Sequence, residues 1–322
     1  MSFAKSRLSQ IAAAAAVCVG AVASAPAHAD ALAQSVLNIT NFTIAFNPAQ
    51  ISPQGTPTAT VQSSATFANI AATPVQAGLF TTSRVGPNAG LYTPGTSYTT
   101  PALPGNFSGG HARQTGNALL GTATALSDAT VSIVPASAPI NGSQGSNTVG
   151  QEFLLNVASP GTARVNVSFD ADAFLRAYLE SGPTFDFLSG SASATTTWRL
   201  EVFRVVSQTV QPLIARWDPG AAFGAGWGCA IAFATNCTEA SPFELGRNII
   251  AFNDGDDLQV QNAGSFTGGL DLLGGNTYRF SINHTSIANA DLLLRFVPEP
   301  ASLALTGLAL LAAGIATRRR RS

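Results

Sequence analysis

Residues 163–170 read ARVNVSFD, and apolar and polar side chains alternate along this whole stretch. Val165, Val167 and Phe169 therefore fall on one face of an extended chain, and the polar residues between them fall on the other. A period of two is typical of an antiparallel strand with one face buried and one face in solvent. Residues 41–46, 196–206, 276–284 and 291–297 have the same pattern.

Turn-forming residues divide the chain into pieces of strand length. The sequence contains 30 Gly and 18 Pro, and frequent turns between alternating segments are typical of β-sandwiches and barrels. We predict an all-β fold, an antiparallel β-sandwich of jelly-roll-like form. Residues 170–181 are a helix candidate, because Phe174, Leu175, Tyr178 and Leu179 recur at helical spacing and Gly-Pro follows.

The strand-like segments are densest in residues 149–297, where we place the core of the sandwich. The preceding segment, 30–148, is poor in charge: between Ala31 and Ser127, Arg84 and Arg113 are its only charged residues. This segment is either a loop-rich β region whose neutral surface faces polysaccharide, or a semi-ordered spacer. Disorder is typical of a high net charge, so the first interpretation is favoured. As a β region it would add strands to the core or form a second small β layer.

The charge of the mature part limits its partners. Residues 30–297 contain 10 Arg, no Lys and 16 Asp plus Glu, which gives a net charge near −6. Binding of nucleic acid requires a basic face. The sequence therefore predicts no nucleic-acid partner.

Both ends of the chain have the composition of targeting segments. Residues 1–29 are predicted to be a helical signal peptide, with a basic start, an apolar centre and small residues before Ala29. Signal peptidase is expected to cut between Ala29 and Asp30, and a cut after Ala27 is the alternative. At the other end, an apolar stretch from Ala301 to Ala316 predicts a membrane helix of about 24 Å, short of the ~30 Å hydrocarbon core.

Three features follow one another in the last 26 residues, VPEPASLALTGLALLAAGIATRRRRS. A triplet of Pro298, Glu299 and Pro300 precedes the apolar stretch. A basic cluster follows it, which the positive-inside rule places in the cytoplasm. The cluster consists of Arg318, Arg319, Arg320 and Arg321.

This tail, residues 298–322, resembles the PEP-CTERM sorting signal of exopolysaccharide-producing Gram-negative bacteria. The resemblance implies recognition by exosortase, a membrane-embedded cysteine transpeptidase that cuts near the triplet. It also implies a transient anchor in the inner membrane, followed by release or transfer to the cell surface or the extracellular matrix. On this interpretation the triplet is a substrate for another enzyme and has no catalytic role of its own.

Two further features concern the body of the protein. Cys229 and Cys237 are separated by seven intervening residues in a chain expected outside the cytoplasm, which favours a disulfide between them. NDGDD at residues 253–257 offers oxygen ligands around a glycine, which is suited to Ca²⁺, although the spacing matches no EF-hand and an Asx turn explains the same residues. The candidate ligands are Asn253, Asp254, Asp256 and Asp257.

Catalytic signatures are weak. The sequence contains no G-x-S-x-G, and nothing selects a pair among the carboxylates for glycoside hydrolysis. Sugar rings would stack on exposed aromatic side chains, for which Tyr92, Trp198, Trp217 and Trp227 are candidates, with Trp198 the weakest because its strand position points inward.

We therefore predict a non-enzymatic exported protein with no required cofactor, sorted by exosortase and acting structurally or adhesively in exopolysaccharide or biofilm. The runner-up is a carbohydrate-binding module that uses calcium at residues 253–257, for which a melting temperature lowered by chelator is the test. A surface hydrolase is the third alternative, for which turnover of generic ester or glycoside substrates is the test.

Overall fold

The computed structural model describes residues 30–98, 105–134, 140–158, 160–180, 185–220, 227–229 and 233–296. The predicted signal peptide and sorting tail, with the helix expected in each, lie outside these ranges. Within the described ranges the secondary structure is β apart from two short 3₁₀ turns, and the strands pair antiparallel. The predicted all-β, antiparallel class is confirmed.

Sixteen strands are described. They are β1 Asp30–Phe46, β2 Ile51–Phe67, β3 Ile70–Ala71, β4 Val75–Gln76, β5 Phe80–Val85, β6 Phe107–Thr115, β7 Ala123–Ile133, β8 Ile140–Val157, β9 Thr162–Glu180, β10 Phe185–Val205, β11 Leu213–Trp217, β12 Trp227–Cys229, β13 Ala234–Ala240, β14 Arg247–Ala251, β15 Asp256–Leu273 and β16 Asn276–Phe296.

The strands form two sheets that pack face to face. Sheet A has the order β13-β15-β9-β1-β7-β6-β5-β4, and sheet B has the order β12-β11-β10-β16-β8-β2-β3, with β14 paired to β10. The sandwich is thus larger than an eight-stranded jelly roll. Three of the edge strands, β3, β4 and β12, have two or three residues, and such short edges offer little backbone to an incoming strand.

The charge-poor segment supplies strands to both sheets. β1 lies between β7 and β9 in sheet A, and β2 pairs with β8 in sheet B. β8 itself runs across the predicted boundary at 148/149.

The helix candidate at residues 170–181 was wrong, because residues 170–180 form the second half of β9. β1 and β15 pair with this strand on either side. Leu175 and Leu179 point into the sandwich, whereas Phe174 and Tyr178 lie on the opposite face, which is also buried. A strand buried on both faces loses the alternation that identifies strands in a sequence.

The main core is aromatic. Phe169 of sheet A is 2% exposed and stacks on Trp198 of sheet B at a centroid distance of 4.7 Å. Its ring also stacks on Phe266 at 5.1 Å and on Phe42 at 5.6 Å, and it is tilted against Trp217 at 5.8 Å. The inward residues of residues 163–170 thus form the centre of the fold, as their alternation predicts.

Toward the other end of the sandwich the core consists mostly of alanine, with Ala33, Ala129, Ala177, Ala192 and Ala288 fully buried. Small side chains let two sheets approach closely, and polar groups then bridge them.

Several hydroxyl groups bridge the sheets in this region. Ser35 donates to the carbonyl oxygen of Thr195 at 2.7 Å, and the hydroxyls of Ser127 and Ser286 are 2.8 Å apart. A Cβ added to Gly110 of β6 would lie 2.6 Å from the carbonyl oxygens of Ser64 and Ser146, so a side chain does not fit there. Part of the hydroxyl content of residues 30–148 therefore serves the interior and not the surface.

The two ends of the described chain lie at the same end of the sandwich. Asp30, the first residue of β1, is opposite Glu180 of β9, and Phe296, the last residue of β16, is opposite Phe185 of β10. Glu180 and Phe185 are joined by residues 181–184. The two predicted processing positions therefore flank one end of the fold, where the alanine-rich core lies.

Candidate functional site

Of the residues predicted for signal cleavage and sorting, Asp30 alone lies within the described ranges. Asp30, which follows the predicted signal-peptidase cut, begins β1, and β16 ends at Phe296, two residues before Pro298. The triplet, the membrane segment and the arginine cluster lie outside the described residues.

The two cysteines of the predicted disulfide lie in edge strands of the two sheets. Cys229 ends β12 in sheet B, and Cys237 lies in β13 at the edge of sheet A. Cys237 belongs to a disulfide, and the side chain of Cys229 is outside the described side chains. The pairing of these two cysteines stays a prediction.

If Cys229 and Cys237 are bonded, both thiols are expected to resist alkylation in the absence of reductant. On the loop-entropy model, closing so short a loop stabilises the fold by about 2.5 kcal/mol. Intact mass spectrometry after iodoacetamide treatment, with and without dithiothreitol, measures this. Two alkyl groups added without reductant would refute the bond.

The candidate calcium turn is held by one of its own candidate ligands. One carboxylate oxygen of Asp256 accepts hydrogen bonds from the N–H groups of Phe252 at 3.1 Å and Asn253 at 2.8 Å, which lie four and three residues earlier in the chain. The carboxylate of Asp257 forms a bidentate pair with the buried Arg176, at 2.9 and 3.0 Å. No group of three or more His, Cys, Asp or Glu side chains suited to a metal ion is found in the described residues. Calcium binding here stays a prediction.

The aromatic side chains proposed for sugar stacking are mostly in the interior. Trp217 is fully buried and Tyr92 is 3% exposed, so the expectation that these two face solvent was wrong. Trp198 is also buried, as its strand position indicates. An external ligand therefore cannot stack on these three rings.

The outer face of sheet B is instead a regular array of hydroxyl and amide groups, which we call the hydroxyl–amide face. It comprises three cross-strand rows from β2, β8, β16 and β10. Its twelve positions hold Ser, Thr, Asn or Gln at eleven and isoleucine at one. The rows are Gln62–Thr148–Thr285–Thr197, Ser64–Ser146–Ile287–Thr195 and Thr66–Gln144–Asn289–Ser193.

Hydrogen bonds between neighbours hold this array in place. The hydroxyls of Thr197 and Thr285 are 2.5 Å apart, and Asn289 donates to Ser193 at 3.2 Å. Thr195 donates to Asn248 of the adjoining β14 at 2.8 Å. Neighbouring rows are about 6.7 Å apart along the strands, and neighbouring positions within a row are about 4.8 Å apart. The face therefore presents a fixed lattice of neutral donors and acceptors.

The outer face of sheet A differs, because a segment between β5 and β6 covers part of it. This segment, residues 86–98, is called the strap. Gln34 of β1 fixes its end, donating to the carbonyl oxygen of Thr96 at 2.6 Å and accepting from the N–H of Tyr98 at 2.9 Å. Arg176 of β9 donates to the carbonyl oxygen of Tyr98 at 2.7 Å.

A buried carboxyl group lies beneath the strap. Asp128 of β7 accepts from the N–H of Gly95 at 2.5 Å and from the hydroxyl of Thr130 at 3.0 Å. The ring of Tyr92 covers Gly109, and its hydroxyl donates to the carbonyl oxygen of Asp128 at 3.3 Å. Burial raises the pKa of Asp128 to about 7 although these hydrogen bonds lower it. The network anchors the strap to sheet A.

His284 of β16 is a second buried titratable group, and it lies inside the sandwich. It is 2% exposed, and among the described residues neither ring nitrogen has a hydrogen-bond partner. It lines a small cavity of about 30 Å³ with Trp198, Val149 and Gln114. Burial lowers the pKa of His284 to about 3, so the imidazole is neutral in the folded protein at ordinary pH.

These two groups give stability opposite dependences on pH. The folded pKa of His284 lies below its unfolded value, so the stability linked to it is lost as pH falls from about 6.5 toward 3. The folded pKa of Asp128 lies above its unfolded value, so the stability linked to it is lost as pH rises from about 4 to 7. His111, whose pKa is lowered to about 4 by burial and by Arg113, acts in the direction of His284.

The stability difference between His284→Leu and the parent protein is expected to depend on pH. At pH 4.5 the free energy of unfolding of the variant, relative to the parent, should be higher by about 2–3 kcal/mol than the same difference at pH 7. Urea unfolding of both proteins at several pH values measures this difference. The contributions of the other titratable groups cancel, because both proteins contain them. Asp128→Asn is the converse variant, whose stability relative to the parent should rise between pH 4 and pH 7. A His284→Leu difference that does not change with pH would contradict the assignment.

The sequence predicted a neutral polar surface, but it predicted neither the strands that form the hydroxyl–amide face nor the strap network. Alternating hydroxyl residues in β2, at residues 58–66, were a usable signal for the first. No signal indicated which strands would lie beside them, and none marked Asp128 as buried.

Comparison with known proteins adds one finding, at the tail. Residues 296–321 match the PEP-CTERM protein-sorting motif. No curated protein and no solved structure matches the chain. Helices long and apolar enough to cross a membrane do not occur among the described residues. The motif identifies the chain as an exported protein that is sorted by exosortase through its C-terminal end.

Proposed function

Because the chain carries an exosortase sorting motif, we propose that its mature β-sandwich is a non-enzymatic structural or adhesive protein of the polysaccharide matrix or cell surface of a Gram-negative bacterium. The hydroxyl–amide face is its contact surface. The observation that supports this proposal is the continuous lattice of neutral polar side chains over four adjacent strands of sheet B.

The chemistry of this face suits a neutral polysaccharide. Each Ser and Thr hydroxyl both donates and accepts, and each Asn and Gln amide offers both functions at separate atoms. A polysaccharide chain presents the same kinds of group at a regular spacing. Because no charge lies in the three rows, binding requires no ion to be desolvated, and many weak contacts add up along an extended polymer.

Valine at Thr197 and Thr285 is expected to weaken retention on an insoluble neutral glucan several-fold, because it removes two adjacent hydroxyls while keeping side-chain shape. Thr115 and Thr124 are the matched control, since they form the same cross-strand pair in sheet A with hydroxyls 2.6 Å apart. Retention of the full chain, purified after export, is measured by pull-down against amylose and cellulose.

Equal retention of the two double variants would remove the hydroxyl–amide face from the proposal. A parent protein that is not retained by any neutral polysaccharide, including the exopolysaccharide of its own producing organism, would contradict the proposed function as a whole.

A further inference from the structure

One edge of sheet A carries two cations without counter-ions. Arg84 in β5 and Arg113 in β6 are both exposed, and neither takes part in an ion pair within the described part of the chain. The sequence has no acidic residue from Ala31 to Ser127. Their charges are therefore available to an external anion.

The strand register places both arginines on the same face. Phe80 is opposite Arg113, Thr82 is opposite His111, and Arg84 is opposite Gly109. Side chains at these alternate positions point away from sheet B. Phe80 and Arg84 are four residues apart, so the levels of the two arginines are separated by about 13 Å along the strands.

A groove runs over this edge. The strap supplies one wall through Tyr92 and Pro94, and Thr73 and Val75 lie on the other side, with Phe80, Thr82 and Arg84 between them. The position of Tyr92 is fixed, because it packs on Gly109, where an added Cβ would lie 2.6 Å from its ring; at 3% exposure it shapes the wall without offering a ring face to a ligand.

None of the described residues that line the groove is acidic. The acidic group nearest in register is Asp128, opposite His111, and it is buried beneath the strap with its carboxyl oxygens hydrogen-bonded to Gly95 and Thr130. His111 accepts or donates one hydrogen bond with Thr82 at 2.8 Å, and its ring meets Phe80 edge to face at 5.0 Å. With the pKa of His111 lowered to about 4, the positive charge at neutral pH comes from Arg84, which lines the groove, and from Arg113, which lies opposite the groove residue Phe80 on the neighbouring strand.

We propose that this groove binds an acidic polysaccharide, with Arg84 and Arg113 pairing with carboxylates of two non-adjacent charged sugars of one chain. Guanidinium groups bind carboxylates in a bidentate geometry, Thr73 and Thr82 offer hydroxyls, and the exposed part of Phe80 offers an apolar surface for a sugar ring. The neighbouring edge strand β4 has two residues and therefore offers little ladder to an extended peptide. The inference rests on the proposed function in taking a polysaccharide as partner, and goes beyond it by adding a charged subsite on the other sheet.

The test is binding of the full chain, purified after export, to sodium alginate by isothermal titration calorimetry. The double variant Arg84→Gln and Arg113→Gln is expected to bind at least tenfold more weakly than the parent protein, and higher salt should weaken parent binding. Arg247→Gln is the matched control, because it removes one exposed arginine from β14 of sheet B and should leave affinity within twofold. Equal melting temperatures establish that the variants are folded.

Three results would overturn the inference: no binding of alginate by the parent, undiminished binding by the double variant, or equally tight and equally Arg-dependent binding of poly-L-glutamate, which would make the partner an acidic peptide. Retention on neutral glucan is measured on the same samples. A parent protein that binds alginate but is not retained on neutral glucan contradicts the proposed function alone. A parent protein that is retained on neutral glucan but does not bind alginate contradicts the groove alone.

Discussion

Alanine at Pro298, Glu299 and Pro300 together is expected to abolish removal of the tail and to leave the protein in the membrane fraction with its arginines attached. The match at residues 296–321 makes this triplet part of the sorting motif, which implies processing by exosortase. The described fold ends at Phe296, so the change touches the motif and not the sandwich. The effect is all-or-none, because an uncut tail keeps an apolar stretch between the body and four cytoplasmic charges.

Intact mass spectrometry of protein recovered from the producing organism, with and without its exosortase, measures this outcome. Ser302→Ala is the control, since it changes one residue of the same tail outside the triplet and should be processed normally. Far-UV circular dichroism of the triple variant should give the parent melting temperature. Recovery of the parent protein at full length, arginines included, would refute the assigned role of the tail.

Alanine at Phe169 is expected to lower the free energy of unfolding by about 3–5 kcal/mol, the largest stability effect among the changes considered. The ring lies between the sheets and contacts the rings of Trp198, Phe266, Phe42 and Trp217. Its removal leaves a cavity that the surrounding strands cannot close, because each is held in register by two neighbours.

Phe252→Ala is the matched control, since this phenylalanine is 64% exposed and its loss should change stability by no more than about 0.5 kcal/mol. Urea unfolding followed by tryptophan fluorescence measures both variants. If Phe169→Ala costs less than about 1 kcal/mol, the packing of the two sheets around this ring is not as described.

The alternation in residues 163–170 predicted a strand with an inward face at Val165, Val167 and Phe169, and those residues are in the core. Such local patterns are readable because each strand repeats its environment every two residues. The same logic failed for residues 170–180, where both faces are covered and Arg176 is buried against Asp257 and Tyr98.

The candidate sites divide in the same way. The tail was recognisable because Pro298, Glu299 and Pro300, the apolar stretch and the arginines are contiguous in the chain. The aromatic candidates failed because composition does not say which face of a strand is buried. The hydroxyl–amide face and the groove at Arg84 and Arg113 depend on strands that are neighbours in space but far apart in sequence.

The sequence by itself determined that this protein is a β protein, that it is exported, and that its C-terminal end carries a sorting signal, because each of these depends on the order of adjacent residues. Only the tertiary structure decided that many hydroxyls of residues 30–148 bridge two sheets, that Asp128 and His284 are buried, and that β2, β8, β16 and β10 align their polar residues in rows. Burial and register follow from pairing between distant segments, whose free energy comes from the packed sandwich as a whole and not from any one strand.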